Sequence, residues 1–215
     1  PTLKDVAGQD GAMPPWITDQ AGVNLLYIGT EAELISFRDK VNSNDYAVRS
    51  EFQQKNVLLT ADIRLTKVWE PIGTTFSTAY QGEFDGGGHI ISNLVVESGG
   101  RFTGLFGIVE NGTIHNLGVE DARIAGDSIY GVSGAIAGLL YGGEIMNCYT
   151  AGTTVEAAFA GGLAGAYRGN SIVRNCHSGG VVRGSFGGGG LVAANYGISG
   201  TTVSELVIEN SYSTA

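Results

Sequence analysis

The residues of this chain best suited to acid–base chemistry are Glu83 and Asp85, with His89 close behind them. Two carboxylates on one face, or a carboxylate beside a basic partner, are what hydrolysis or lysis of a polysaccharide requires. The run Asp85-Gly86-Gly87-Gly88 is equally the signature of a tight turn whose aspartate accepts backbone N–H bonds. Neither these acids nor Glu120, Asp121 and Asp127 recur at matching positions, so the turn is the favoured reading and no catalytic residue is assigned. A zinc site wants two histidines one helical turn apart with a glutamate nearby. His89, His115 and His177 stand at different offsets from the nearest asparagine, and no His-Glu-x-x-His occurs, so no metal site is expected. The glycine runs at 86–88 and 187–190 lack the Lys-Ser or Lys-Thr of a phosphate loop. They are read as corners, and no cofactor is implied. Cys148 and Cys176 each follow an asparagine and are expected as buried free thiols stacked in one column. A bridge between them is disfavoured because stacked Cβ vectors run parallel.

Bulk composition limits what could hold these residues. Glycine supplies 35 of 215 positions with no Gly-X-Y period. Beside plentiful Val, Ile and Leu, that density means many tight corners between short strands. The 12 basic residues are scattered singly among 21 acidic ones, for a net charge of −9, so neither a nucleic-acid nor an anionic-membrane partner is expected. No apolar run is long enough to be a transmembrane segment. Residues 1–29 form an N-terminal extension without a clear period; Pro14, Pro15 and Trp16 suggest an extended lead-in, and Leu25 to Ile28 a short strand. Thr30 and Glu33 make a capping box, and Leu34, Phe37 and Val41 an apolar stripe, which together predict a helix over 31–42. Val57 to Leu65 reads as one strand, and beyond it the pattern is strands, turns and glycine with no second helix.

Two motifs then repeat in alternation. The first is aliphatic-x-Asn before a small or apolar residue, with its asparagine at Asn93, Asn116, Asn147, Asn175 and Asn210, separated by 23, 31, 28 and 35 positions. The second is Gly104-Leu105-Phe106-Gly107, Ala135-Ile136-Ala137-Gly138, Gly162-Leu163-Ala164-Gly165 and Gly190-Leu191-Val192-Ala193. Interleaved motifs in fixed order are the mark of coils that stack about 4.8 Å apart and bring equivalent residues into columns. The fold predicted for residues 30–215 is therefore all-β: a parallel β-helix, a solenoid closed at its N-terminal end by the capping helix at 31–42. The five asparagines are expected at corners, joined as a structural ladder through amides that both donate and accept. Two places after each asparagine the side chain should point outward, giving Val95, Gly118, Tyr149, His177 and Tyr212. Tyr149, His177 and Tyr212 are accordingly the candidate ligand-binding residues, a ring strip suited to glycans, flanked by Met146, Arg174 and Glu209.

A family resemblance rests on Trp69-Glu70-Pro71-Ile72-Gly73, on Phe84-Asp85-Gly86-Gly87-Gly88-His89-Ile90-Ile91-Ser92-Asn93-Leu94, and on Gly104 to Gly107. Together with Gly162 to Gly165 and Asn147-Cys148-Tyr149, these resemble the GLUG-motif repeat proteins over about residues 30–215. Members of that family are bacterial surface and secreted proteins, including adhesin-like proteins and the repeat portions of IgA-cleaving metallopeptidases. The resemblance implies a right-handed parallel β-helix, in line with the general bias of parallel crossovers, and an extracellular or cell-surface location on a bacterium. The last coil stops inside a repeat unit, at Ser211 to Ala215, so the chain is expected to be a truncated module with further domains or repeats of the same protein beyond it. The function expected is that of a non-catalytic surface module, for adhesion, for binding glycan or a host or cell-surface protein, or as a stalk. The alternative is a carbohydrate-active β-helix enzyme, a polysaccharide lyase or hydrolase, using Glu83 and Asp85.

Overall fold

The computed structural model describes residues 25–97, 100–197 and 204–215. Most of the expected N-terminal extension, with Pro14, Pro15 and Trp16, lies outside them. The described chain is mostly β, with every paired strand parallel to its neighbour, and has two helices among the described residues.

Strands fall into three sheets that the chain visits in turn. The first contains Leu25–Ile28, Asn56–Leu59, Glu83–Asp85, Thr113–His115, Glu144–Met146, Ser171–Arg174 and Leu206–Glu209, hydrogen-bonded in that order. The second includes Ile63–Arg64, Ile90–Ser92, Gly118–Glu120, Tyr149–Gly161, His177–Gly189 and Tyr212–Ser213, again in chain order. The third runs from Phe106–Glu110 through Ala137–Tyr141 and Ala164–Arg168 to Val192–Asn195. Register follows the hydrophobic pattern, because a slip of one residue would turn each inward side chain to water. In the first sheet Val57, Phe84, Ile114, Ile145, Val173 and Ile208 align. All but the last are buried; Ile208, on the final strand, is 45% exposed. In the third sheet Phe106, Ala137, Ala164 and Val192 align, so the second motif is in register throughout. Leu105, Ile136 and Leu163, just before that row, are fully buried.

Helix α1, Glu31–Val41, begins at the expected capping box: Thr30 Oγ1 accepts from the Glu33 N–H at 3.2 Å, and the Glu33 carboxylate accepts from the Thr30 N–H at 3.1 Å. Leu34, Phe37 and Val41 are buried, and the Phe37 ring meets Tyr80 edge-on at 5.8 Å. At its end Asn42 bonds Pro71 O and Gly73 N. A second helix, α2 (Tyr46–Phe52), was not expected; Asp45 caps it, and none of its residues is buried, so no apolar stripe announces it. Val57 to Leu65 is not one strand. It forms Asn56–Leu59 in the first sheet and Ile63–Arg64 in the second, with a corner between. An unbroken apolar run cannot reveal a bend whose both arms are buried. Gly187 to Gly189 also depart from expectation, continuing the strand His177–Gly189 instead of turning.

Candidate functional site

The bend from the first sheet to the second carries most of the polar side-chain order. Asn116, Asn147, Asn175 and Asn210 occupy it with φ of 53°, 52°, 54° and 48°. Asparagine tolerates this left-handed conformation better than other residues with a Cβ. Their amides form a chain: Asn210 donates to Asn175 at 3.3 Å, Asn175 to Asn147 at 3.0 Å, and Asn147 to Asn116 at 3.2 Å. Asn116 donates in turn to Asp85 Oδ1 at 3.0 Å.

Asn93 does not join them. Its neighbours Ile91 and Ser92 pair with Val119 and Glu120, which places Asn93 level with Asp121, at a different bend inside the second sheet. There it donates to Leu65 O at 2.6 Å. Both bends place a left-handed residue two positions after a buried aliphatic one, so the local signature is the same and the column differs. The position equivalent to Asn116 in the preceding layer is Gly86, and Asp85 beside it supplies the acceptor.

Asp85 also accepts from the Gly87 N–H at 2.9 Å, and Gly86 O accepts from the His89 N–H at 2.8 Å. Gly87 and Gly88 have φ of 59° and 80°, so this run is a tight turn. His89 is not the partner of the nearby acids; its Nδ1 lies 3.1 Å from Asp62. His115, one layer on, takes that place. Its Nε2 is 2.7 Å from Glu83 Oε1, and its Nδ1 lies 2.9 Å from Asn116 Nδ2 and 3.5 Å from Asp85. The two carboxylates meet opposite nitrogens of one ring and do not converge on a common point. Glu83 faces an open groove with Gln54, Gln81, Glu110 and Asn111, and Asp85 does not line it. His115 was missed as a partner, although Phe84 and Ile114 are the inward residues of successive layers and would have placed it above Asp85.

The remaining acids serve local structure. Glu120 accepts from the Tyr149 hydroxyl at 2.8 Å. Asp127 accepts from the N–H groups of Tyr130 and Ile129, both at 2.7 Å, which lowers its carboxyl below the usual range. Cys148 and Cys176 are free and buried in one column, where burial pushes the Cys148 thiol well up. Among the described residues no group of three or more His, Cys, Asp or Glu is placed to hold a metal ion. Nor is any described helix long and apolar enough to cross a membrane.

Tyr149, His177 and Tyr212 do stand in one column, with Gly118 and Ile90 before them; Val95 belongs elsewhere, beside Arg123. The rings stack at 5.2 and 5.3 Å with planes 9° and 7° from parallel. Stacking changes what the strip offers. Both faces of His177 are covered by tyrosines, and the Tyr149 ring lies over Gly118, where an added Cβ would collide with it. Ring edges point outward, and the open face belongs to Tyr212, which is 60% exposed. Sugars pack on ring faces, so Tyr149 and His177 are arranged for packing. The flanking Arg174 and Glu209 pair with each other at 2.7 Å.

No family model matches the chain, so the GLUG resemblance rests on the residues quoted for it. Halomucin of Haloquadratum walsbyi is 36% identical over 99 residues, 45% of this chain and 1% of halomucin. A crystal structure described as a candidate immunoglobulin A1 protease from Bacteroides ovatus superposes with a TM-score of 0.56 at 22% identity, covering 86% of this chain and 64% of that one. That likeness is one of fold.

Proposed function

We propose that this chain is a non-catalytic section of an extracellular or cell-surface protein, built as a right-handed parallel β-helix of the GLUG-repeat kind. It serves as a stalk or scaffold that holds other parts of its protein and engages glycan or protein on its lateral faces. The observation that carries this reading is the continuity of columns: Asn116 to Asn210 in one, Tyr149 to Tyr212 in another. Side chains committed to their equivalents in neighbouring layers stiffen a rod and leave little for a reaction. The match to halomucin, a mucin by name, and the likeness to the Bacteroides chain support an extracellular setting.

A carbohydrate-active enzyme is favoured by one arrangement, Glu83 and Asp85 about His115. Against it, Asp85 is consumed by Gly87 and Asn116, and Glu83 lines a groove that neither Asp85 nor His115 lines. Assays for reducing ends and unsaturated products on neutral and acidic polysaccharides separate the two readings. The expected result is no turnover; activity that disappears in Glu83→Gln or Asp85→Asn would replace the scaffold by an enzyme.

A further inference from the structure

The outer side of the third sheet carries a second apolar cluster, separate from the main core. Ile108, Leu139 and Ala166 are buried there. An unbroken line of ring contacts covers it: Tyr196 to Phe102 at 5.5 Å, Phe102 to Phe76 at 5.7 Å, and Phe76 to Tyr141 at 6.5 Å. All three contacts are edge-on, with planes 75° to 87° apart. Phe102 is buried, so the exposed part of this line belongs to Phe76 and the two tyrosines, and no ring lies flat over another as at 149, 177 and 212. Phe76 is 45% exposed, and Tyr141 and Tyr196 are half-buried.

A guanidinium stands at each end of this line. Arg101 lies 5.4 Å from the Tyr196 ring and 5.7 Å from Phe102, and Arg168 lies 4.9 Å from Tyr141. Arg38, Arg174 and Arg183 each hold a carboxylate at 2.6 to 2.7 Å. Arg101 and Arg168, like Arg49, Arg64 and Arg123, have none among the described residues, and these two stand against the rings of this line. The hydroxyls of Tyr141 and Tyr196 likewise have no hydrogen-bond partner among the described residues.

We propose that this surface binds an acidic saccharide, a short oligouronide being its simplest form. Pyranose C–H faces pack on exposed ring surface, of which Phe76 offers most, and a carboxylate takes two parallel bonds from a guanidinium that ring stacking already orients. Sugar hydroxyls meet the open tyrosine hydroxyls. An acidic peptide satisfies the charges and leaves the ring faces without a matching surface. The site goes beyond the scaffold reading and does not depend on it.

Calorimetric titration of the whole chain with trigalacturonate, its methyl ester and tetraglutamate tests this. Saturable binding of trigalacturonate is expected, weakened about tenfold or more by esterification, since the ester keeps the sugar faces and removes the charge. The pair Arg101→Gln and Arg168→Gln, Arg101 being exposed and Arg168 half-buried against Tyr141, should weaken trigalacturonate equally in variants whose circular dichroism matches wild type, and Arg101→Lys should not restore it. Phe76→Ala should weaken acid and ester alike. No saturable binding by wild type, equal affinity for the ester, or tetraglutamate binding as tightly as the sugar would each overturn the proposal while leaving the scaffold standing. Turnover of the trisaccharide would instead overturn the scaffold.

Discussion

Asn147 accepts an amide bond from Asn175, gives one to Asn116, and holds a left-handed φ of 52°. Two substitutions separate these roles. Asn147→Gly keeps the backbone conformation and removes the amide, so its cost, about 0.5–1.5 kcal/mol for exposed hydrogen bonds whose partners turn to water, belongs to the ladder. Asn147→Ala adds the left-handed penalty of about 1–2 kcal/mol, and denaturant unfolding of the two variants should rank them in that order. Equal stability of Asn147→Gly and wild type would reduce the ladder to a row of turns. Tyr149 offers a test by pH. Burial, with the Glu120 carboxylate adding to it, pushes its phenol up to about 12 from 10.0. The folded state therefore keeps this proton after the unfolded chain has lost it. Stability should be intact below pH 10 and fall as pH rises toward 12. Melting temperatures of Tyr149→Phe, which has no proton to lose, should fall less steeply over that window. At this scale the sequence was legible where chemistry coincided with conformation. Asparagine at a bend announced four members of the ladder, and the same preference misplaced Asn93, because a left-handed bend looks alike in either column.

Helix α1 was legible to within a residue because its start rests on reciprocal side-chain bonds and its buried face on a helical stripe. Thr30→Ala removes the Oγ1 acceptor of the Glu33 N–H and should cost about 0.5–2 kcal/mol, read by thermal or urea unfolding. A variant as stable as wild type would mean that packing of Leu34, Phe37 and Val41 alone fixes the helix. Helix α2 carries no buried residue, so periodicity had nothing to report. Its anchors are the cap at Asp45, the half-buried Phe52 against the core, and Gln53, which donates to Ser77 O and Ala79 O. Strand limits were least legible of all. Leu59 and Ile63 are both buried although they belong to different sheets, and only the pairing of each to Phe84's layer and Ile91's layer tells them apart.

Across the molecule, the second motif was legible as a repeat whose copies align at Phe106, Ala137, Ala164 and Val192, since its small residues sit where backbones of adjacent layers nearly touch. That regularity makes a deletion testable. Removing residues 117–147 joins Asn116 to Cys148 and takes out one full visit to all three sheets, leaving Phe84's layer, Ile114, and then Val173 in succession. The shortened chain should fold cooperatively with a circular dichroism spectrum of unchanged shape. A deletion five residues shorter, 117–142, is not a whole layer, throws both columns out of register and should not fold. If the two behave alike, the layers are not interchangeable units.

The aspartate at the foot of the ladder has one more consequence, and it concerns direction. Asp85 as a carboxylate has lone pairs and no hydrogen to give, so Asn116 must turn its NH2 group toward it. The Asn116 oxygen then faces Asn147, which must present its own NH2, and the choice passes upward to Asn210. One acidic residue thus sets the orientation of four amides. The row is polar, with a donor entering each layer from the side of higher residue number. Substitution is therefore asymmetric along it: aspartate is suited to the foot and repelled at position 147, where its oxygens would oppose the Asn116 oxygen, while Asp85→Asn frees the whole row to reverse.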